Sequence, residues 1–412
     1  MAAALVVGNV VGSGVYLLPA SLAPYGWNGV VAWVPTTFGA ILIAYVLGQL
    51  VQASPGDGGP VGSVERAFGP LAGALIGWCS WISWWTGSAT VAIAAASYLS
   101  AFIPALATPG WAALTAIGLI ALFTALNLLG ARAAGGFQVI STALKLLPLV
   151  AVLALLAWLA PAGRIPLTPP PPTLDLHAIS TAAALTLWAL VGFESAGLAS
   201  DKLRNPERDV ARATLGGTAL SGLLYIVVCS AIVLALPAAP LAQSAAPFAL
   251  FFETYATREA GLAVAAFAAI SCLGALNGFI LVAGEVPLAM ARRGTLPAWF
   301  GQARGDGTPV RMLVVSSILA ALLVAANASK ATGALFTWLA LLSASACLWL
   351  YLALVLAGLR LRVARLTAAA GALYAGWTLW GAGLGASGLS LLLMLTVLPF
   401  YLLRSRPAPR ST

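Results

Sequence analysis

Charged side chains are scarce in this 412-residue chain, and histidine is almost absent. Only 8% of the residues are charged, 61% are hydrophobic, and His177 is the sole histidine. So few charges cannot cover the surface of a water-soluble domain, and the composition therefore predicts a polytopic membrane protein. A single histidine argues against a zinc or haem site. We expect neither a metal nor another cofactor.

Paired cysteines and catalytic clusters are also missing from the sequence. The four cysteines lie singly in apolar segments, so they predict small buried side chains rather than disulfides or metal ligands. A membrane-embedded enzyme would need paired acids, or a nucleophile with its base, inside the apolar segments. His177 is too peripheral for that role and Glu194 is too isolated. The sequence therefore does not predict an enzyme.

Basic residues exceed acidic ones, and the formal net charge is +9. The cations do not form a face of the kind that binds nucleic acid, because they lie in short connections between apolar stretches. Twelve stretches are long enough to cross a bilayer: about 2–23, 27–52, 70–104, 109–129, 136–160, 178–200, 211–236, 259–291, 309–327, 332–358, 367–384 and 387–403. With both termini in the cytoplasm, sixteen cations lie inside, three lie outside and Lys145 lies within a span. This asymmetry predicts a multi-pass inner-membrane protein with cytoplasmic termini.

Two places inside these stretches favour an interrupted helix. Gly12-Ser13-Gly14 lies in the first stretch, and Val191-Gly192-Phe193-Glu194-Ser195 lies in the sixth. Glycine tolerates backbone angles that a helix interior excludes, which leaves N–H groups that an anionic ligand can satisfy and lipid cannot. The alternative for the first place is a glycine used only for close helix packing. The two places lie five spans apart, and two halves of five spans each have opposite orientations in the membrane. Matching breaks in two inverted halves predict a secondary transporter with a midplane site.

Two motifs resemble those of a known superfamily. Gly8-Asn9-Val10-Val11-Gly12-Ser13-Gly14-Val15-Tyr16-Leu17-Leu18-Pro19 resembles the first-helix motif of the amino acid, polyamine and organocation transporter (APC) superfamily. Residues 187–196, followed by Asn205-Pro206-Glu207-Arg208, resemble its sixth-helix motif, and the basic amino acid and polyamine antiporter group is the most similar. The resemblance implies an all-α fold of the leucine-transporter type. That fold has two inverted repeats of five helices, discontinuous helices 1 and 6, and two peripheral helices.

This fold implies four regions: a first repeat at 1–160, a second repeat at 178–358, peripheral helices at 363–403 and a cytoplasmic tail at 404–412. Residues 237–258, with three prolines, are expected to form a lid-like external loop. Because the first apolar run starts at Ala2, a few residues upstream of Met1 are expected to be missing from this sequence.

An amino acid substrate would be held at the two breaks by peptide groups. The helix that restarts at the first break presents N–H groups and a positive dipole end to an α-carboxylate. Carbonyls of Val10, Val11 and Phe193 would accept from an α-ammonium. The resemblance implies the same main-chain roles. The predicted main-chain binding residues are Val10, Val11, Gly12, Ser13, Gly14, Val191 and Phe193.

Three side chains are expected to select the substrate. Trp188 lies one turn before the second break, where its indole face can lie against a guanidinium, an ammonium or an apolar chain; the alternative is core packing. By resemblance, Phe279 stands where the antiporter group has a tryptophan, and Ser88 where it has an asparagine that reads a guanidinium. These two differences leave smaller or neutral substrates open beside basic ones.

Two charges lie inside predicted spans. An acid at the bilayer centre costs about 2.5–3.5 kcal/mol on insertion scales, so Glu194 is expected to serve proton-sensitive gating rather than structure alone. The resemblance implies proton-sensitive gating or contact with a distal cation of the substrate. Lys145 is expected to replace a sodium ion and to hold the first helix to the fifth; its alternative is snorkelling to the interface.

The sequence thus predicts a secondary active amino acid transporter that works by alternating access. By resemblance it exchanges cationic amino acids and polyamines, as in arginine/agmatine exchange. The alternative is a proton-coupled, sodium-independent permease for neutral amino acids. Its expected partners are the substrate, the lipid bilayer and, in the coupled case, protons; no nucleic acid is expected, and a homodimer is left open.

Overall fold

Helices are the only regular secondary structure in the part of the chain that the structure describes. The computed structural model describes residues 10, 12, 14–54, 59–130, 144–169, 171–194 and 206–404, and no strand occurs among them. The α-helices are α1 (Gly14–Leu22), α2 (Trp27–Ala53), α3 (Gly59–Phe68), α4 (Pro70–Leu99), α5 (Pro109–Leu128), α6 (Leu147–Leu159), α7 (Leu176–Leu190), α8 (Pro206–Ala235), α9 (Ala238–Ala242), α10 (Pro247–Tyr255), α11 (Arg258–Arg292), α12 (Val310–Ala326), α13 (Thr332–Arg360), α14 (Arg365–Gly381), α15 (Gly383–Leu395) and α16 (Val397–Leu402). Short 3-10 helices occupy Ala23–Tyr25, Pro104–Ala107 and Ala298–Gly301.

Among the described helices, six segments are long and apolar enough to cross a membrane. They are α2, α5, Arg212–Ala235 of α8, α11, α13 and Gly383–Leu402, which comprises α15 and α16. Helices α6, α7 and α12 are shorter but also apolar. Every one of the twelve predicted stretches overlaps at least one described helix. The predicted polytopic membrane protein is confirmed in this general form, and the number of spans stays a prediction.

Helix α4 lies at the centre of the molecule. Residues 76–98 of this helix are all buried, and it packs against α5, α11, α12 and α13. Two glycines allow α11 to approach it closely, because a Cβ on Gly77 would lie 2.9 Å from Met290 and one on Gly87 would lie 2.6 Å from Phe279. Small residues on a helix face let the backbones of two helices approach closely, as expected for helices packed in a membrane.

The outer surface of the bundle is apolar. Leu122 on α5, Leu223 on α8, Leu373 on α14 and Leu392 on α15 are all exposed. In water such a surface would be an aggregation hazard, whereas a bilayer solvates it. The backbone polar groups of these helices bond within each helix, as a hydrocarbon surrounding requires.

One local prediction is corrected by the structure. Residues 237–258 were expected to be a loop, but they contain two helices: α9 follows Pro237 and α10 begins at Pro247, where a missing N–H is tolerated. Lys145 lies in a turn directly before α6, and residues 131–143 lie outside the described residues, so its place within a span stays a prediction. The four cysteines are buried, as predicted.

Candidate functional site

The first predicted break is non-helical in the structure. Helix α1 begins at Gly14, and the N–H of Gly12 donates to the carbonyl of Val10 at 2.8 Å. That bond spans two residues rather than the four of an α-helix. The hydroxyl of Tyr225 on α8 donates to the same carbonyl at 2.9 Å. Val11 and Ser13 lie outside the described residues.

The second predicted break is also non-helical. Helix α7 ends at Leu190, Val191 is extended, and Gly192 has a φ of +112°. That φ lies in the left-handed half of conformational space, which glycine enters without steric cost. The ring of Phe193 stacks on Tyr351 of α13, with 4.8 Å between ring centres. Residues 195–205, where the sixth helix would continue, lie outside the described residues.

The two breaks lie side by side because of Gly14. A Cβ at this position would be 2.8 Å from the Cα of Ala189, near the end of α7. The start of α1 therefore presses directly on the backbone at the end of α7. Close packing is therefore one role of this glycine, and its role at a functional break stays a prediction. The contact brings the N-terminal end of one helix beside the C-terminal end of another, so opposite dipole ends meet at one place.

The carboxylate of Glu194 is buried and held by hydrogen bonds. Its residue is 2% exposed. Oε2 accepts from the Tyr351 hydroxyl at 2.7 Å and from the Gly192 N–H at 3.1 Å. The Cys347 thiol approaches Oε1 at 3.8 Å. The acid thus binds the backbone of the second break on one side and α13 on the other.

Three aromatic rings lie together one turn from the second break. Phe279 of α11 packs edge-on against Trp188 of α7, at 6.0 Å between ring centres, and against Trp84 of α4, at 4.8 Å. All three side chains are buried, and the indole N–H of Trp188 has no hydrogen-bond partner among the described residues. Gly87 makes room for the group, since a Cβ there would meet Phe279 and Trp188. The faces of these aromatic rings attract a cation.

The structure differs from the sequence prediction at Trp84 and at Ser88. Trp84 was missed, although it lies one helical turn before the predicted Ser88 and so shares its face of α4. Ser88 is buried beside Gly87, but its hydroxyl donates to the carbonyl of Trp84 at 2.9 Å. A serine that bonds back four residues along its own helix has less capacity left for a ligand.

Lys145 is buried at the edge of α1. The residue is 1% exposed, which is contrary to the snorkelling alternative, and its backbone carbonyl accepts from the Tyr16 hydroxyl. Tyr98 in turn donates to the carbonyl of Tyr16 at 2.8 Å. A backbone link between α1 and the start of α6 is therefore present. The proposed role of the ammonium as a replacement for sodium stays a prediction.

The sequence comparison decides the family. The profile of the amino acid permease family matches residues 1–411. The chain belongs to this family. Similar proteins include the cadaverine/lysine antiporter of Escherichia coli K12, 34% identical over 76% of this chain and 71% of that protein. The putrescine transporter PotE is 30% identical both in Escherichia coli K12, over 76% of this chain and 72% of that protein, and in Haemophilus influenzae, over 77% and 74%.

These relatives place the permease among the basic amino acid and polyamine antiporters, which confirms the predicted resemblance. The family and the relatives are transporters rather than enzymes. A multi-pass membrane transporter therefore accounts for the apolar helices, the apolar exterior and the two non-helical segments inside the bundle.

Proposed function

We propose that this permease exchanges a cationic amino acid for a diamine or related polyamine across the inner membrane. The observation that carries the proposal is the contact of the two breaks at Gly14 and Ala189, with three buried aromatic rings one turn away. The names of the relatives, which refer to lysine, cadaverine and putrescine, support this class of substrate. Arginine/agmatine exchange is a further member of the same class.

The geometry suggests how one site serves both substrates. An amino acid offers a carboxylate, an α-ammonium and a distal cation, while a diamine offers only the two cations. Both can place one ammonium against the carbonyls near Val10 and Phe193 and the other against the rings of Trp84, Trp188 and Phe279. Only the amino acid also uses the N–H groups at the start of α1. We propose that Gly12, Ser13 and Gly14 bind that carboxylate, with Val11 and Val191 completing the main-chain set and Ser88 lining the site.

The remaining sequence predictions are part of the same proposal. Twelve spans, two inverted repeats at 1–160 and 178–358, peripheral helices at 363–403 and cytoplasmic termini would give the alternating-access arrangement that inverted repeats support. In that arrangement Glu194 couples protons to gating, and Lys145 stands in for a sodium ion. A proton-coupled permease for neutral amino acids is the less favoured alternative, because the relatives are named for basic substrates.

Exchange without sodium is the first expected result. Proteoliposomes loaded with cadaverine or putrescine should take up labelled lysine or arginine in sodium-free buffer. Empty vesicles should take up little, because the binding site of an antiporter returns across the membrane only with a substrate bound. Scintillation counting of filtered vesicles measures this. Uptake of leucine or alanine into empty vesicles, driven by a proton gradient, would support the neutral permease instead. A steep sodium requirement would contradict the role of Lys145.

The hydroxyl of Tyr225 is expected to position an acceptor for the substrate. Tyr225→Phe removes its bond to the Val10 carbonyl, and one neutral hydrogen bond contributes about 0.5–1.5 kcal/mol. We therefore expect substrate affinity to fall about three- to tenfold, as measured by titration calorimetry on purified protein. Tyr45→Phe, at an exposed position on α2, is the matched control. Unchanged or tighter binding by Tyr225→Phe would show that this hydroxyl does not position the carbonyl for the substrate.

A further inference from the structure

A cavity lies between α4, α12 and the last two helices, α15 and α16. Its volume is about 620 Å³, within the range of about 300–1,000 Å³ found for ligand pockets. None of the described residues of the two breaks lines it. Its wall is mainly aromatic and comes from α4, the 3-10 turn Ala298–Gly301 and α16: Trp78, Trp81, Trp85, Trp299, Phe300 and Phe400.

The cavity borders the lipid-facing surface of the bundle. Val315 and Leu319 of α12 and Leu393 of α15 complete its wall. On the same two helices Leu322 and Leu392 are exposed, as is Trp299 itself. Helices with exposed leucines contact acyl chains in a bilayer, so an apolar molecule can enter this cavity without passing through water.

Two arginines lie next to the aromatic wall of this cavity. The guanidinium of Arg311 lies 5.6 Å from the ring centre of Trp299, and that of Arg404 lies 3.4 Å from the ring centre of Tyr401, the neighbour of Phe400. Phe300 packs against both Trp299, at 5.0 Å between ring centres, and Phe400, at 5.2 Å, so the two arginines lie beside one aromatic cluster. Stacking uses the face of a guanidinium and leaves its edge donors for a phosphate.

We propose that an anionic phospholipid of the bilayer binds at this place. One acyl chain fills the aromatic cavity, and the phosphate lies beside Arg311 and Arg404. The apolar wall selects a chain, and the two cations select a negative headgroup. A site that recognises an anionic lipid combines an apolar wall for the acyl chain with basic side chains for the headgroup. This site is separate from the proposed transport site, so it can be present or absent whatever the transported substrate is.

Lipid retention by the purified full chain tests the proposal. Native mass spectrometry would count phosphatidylglycerol and phosphatidylcholine retained from an equal mixture with identical acyl chains. The wild type should retain phosphatidylglycerol preferentially. Arg311→Gln and Arg404→Gln should each lower that retention about fivefold, while Arg365→Gln, an exposed arginine at the start of α14, should not. Leu319→Trp should fill the cavity and lower the retention of both lipids.

Two outcomes would overturn the proposal. One is equal retention of phosphatidylglycerol by the wild type and both arginine variants. The other is a change from dimer to monomer in Leu319→Trp with lipid retention unchanged, which would assign this surface to a contact between copies of the chain. If Leu319→Trp is not monodisperse in size-exclusion chromatography, Val315→Phe provides a smaller filling substitution with the same expected result.

Discussion

Replacing Gly14 by alanine is expected to reduce exchange strongly in a protein that still folds. The added Cβ would lie 2.8 Å from the Cα of Ala189, a backbone atom that cannot turn away as a side chain can. Helix α1 must therefore shift relative to α7, and the two breaks separate. Overpacking of this kind costs about 1–3 kcal/mol. Since the whole cost falls on the contact between the breaks, we expect transport in proteoliposomes to fall at least about tenfold.

Two further variants make the Gly14 experiment specific. Gly118→Ala on α5 is the control, because a Cβ there would have no described atom within 4 Å, and alanine favours the helix. It should transport normally. Ala189→Gly should not rescue Gly14→Ala, because the close contact is with the Cα of residue 189 rather than its methyl group. A monodisperse Gly14→Ala protein with wild-type exchange would show that the proximity of the breaks is not needed for transport.

The local sequence could predict where the helices are interrupted. Two glycines around Ser13 and one at Gly192 lie in otherwise apolar runs, and glycine changes helix stability through its own backbone, without help from distant residues. The non-helical backbone at Gly12 and at Val191 to Glu194 is confirmed for this reason. Burial of the cysteines was predictable for a similar reason, because their neighbours in sequence are apolar.

Contacts between distant segments could not be predicted in this way. Tyr225 is 215 residues from Val10, and Tyr351 is 157 residues from Glu194. Helical periodicity says which face of a helix a residue occupies, but not which other helix covers that face. The three aromatic rings illustrate the limit. Trp84 was one of fourteen tryptophans, and only its contact with Phe279 of α11, which also packs against Trp188 of α7, distinguishes it.

The contacts of Glu194 with Gly192 and with α13 give it a position from which protonation can affect the second break. When ionised, the carboxylate accepts from the Gly192 N–H and the Tyr351 hydroxyl on one oxygen. When protonated, it becomes a donor as well and holds both partners less strongly. Gly192 belongs to the break and Tyr351 to α13, so loss of the charge loosens the link between them. Cys347, which faces the other oxygen, is the third group in contact with the acid.

Glu194→Gln is therefore expected to make exchange insensitive to pH. Glutamine keeps the size and can still accept from Gly192 and Tyr351 through its amide oxygen, but it cannot bind or release a proton. Exchange by the wild type should change with pH between 5 and 8, whereas the variant should give a flat profile in the same vesicles. Glu253→Gln, an exposed glutamate on α10, should keep the wild-type profile. Tyr351→Phe, which retains the carboxylate and removes one donor, should shift the profile without flattening it. An unaltered pH profile in Glu194→Gln would leave the buried acid a structural role only.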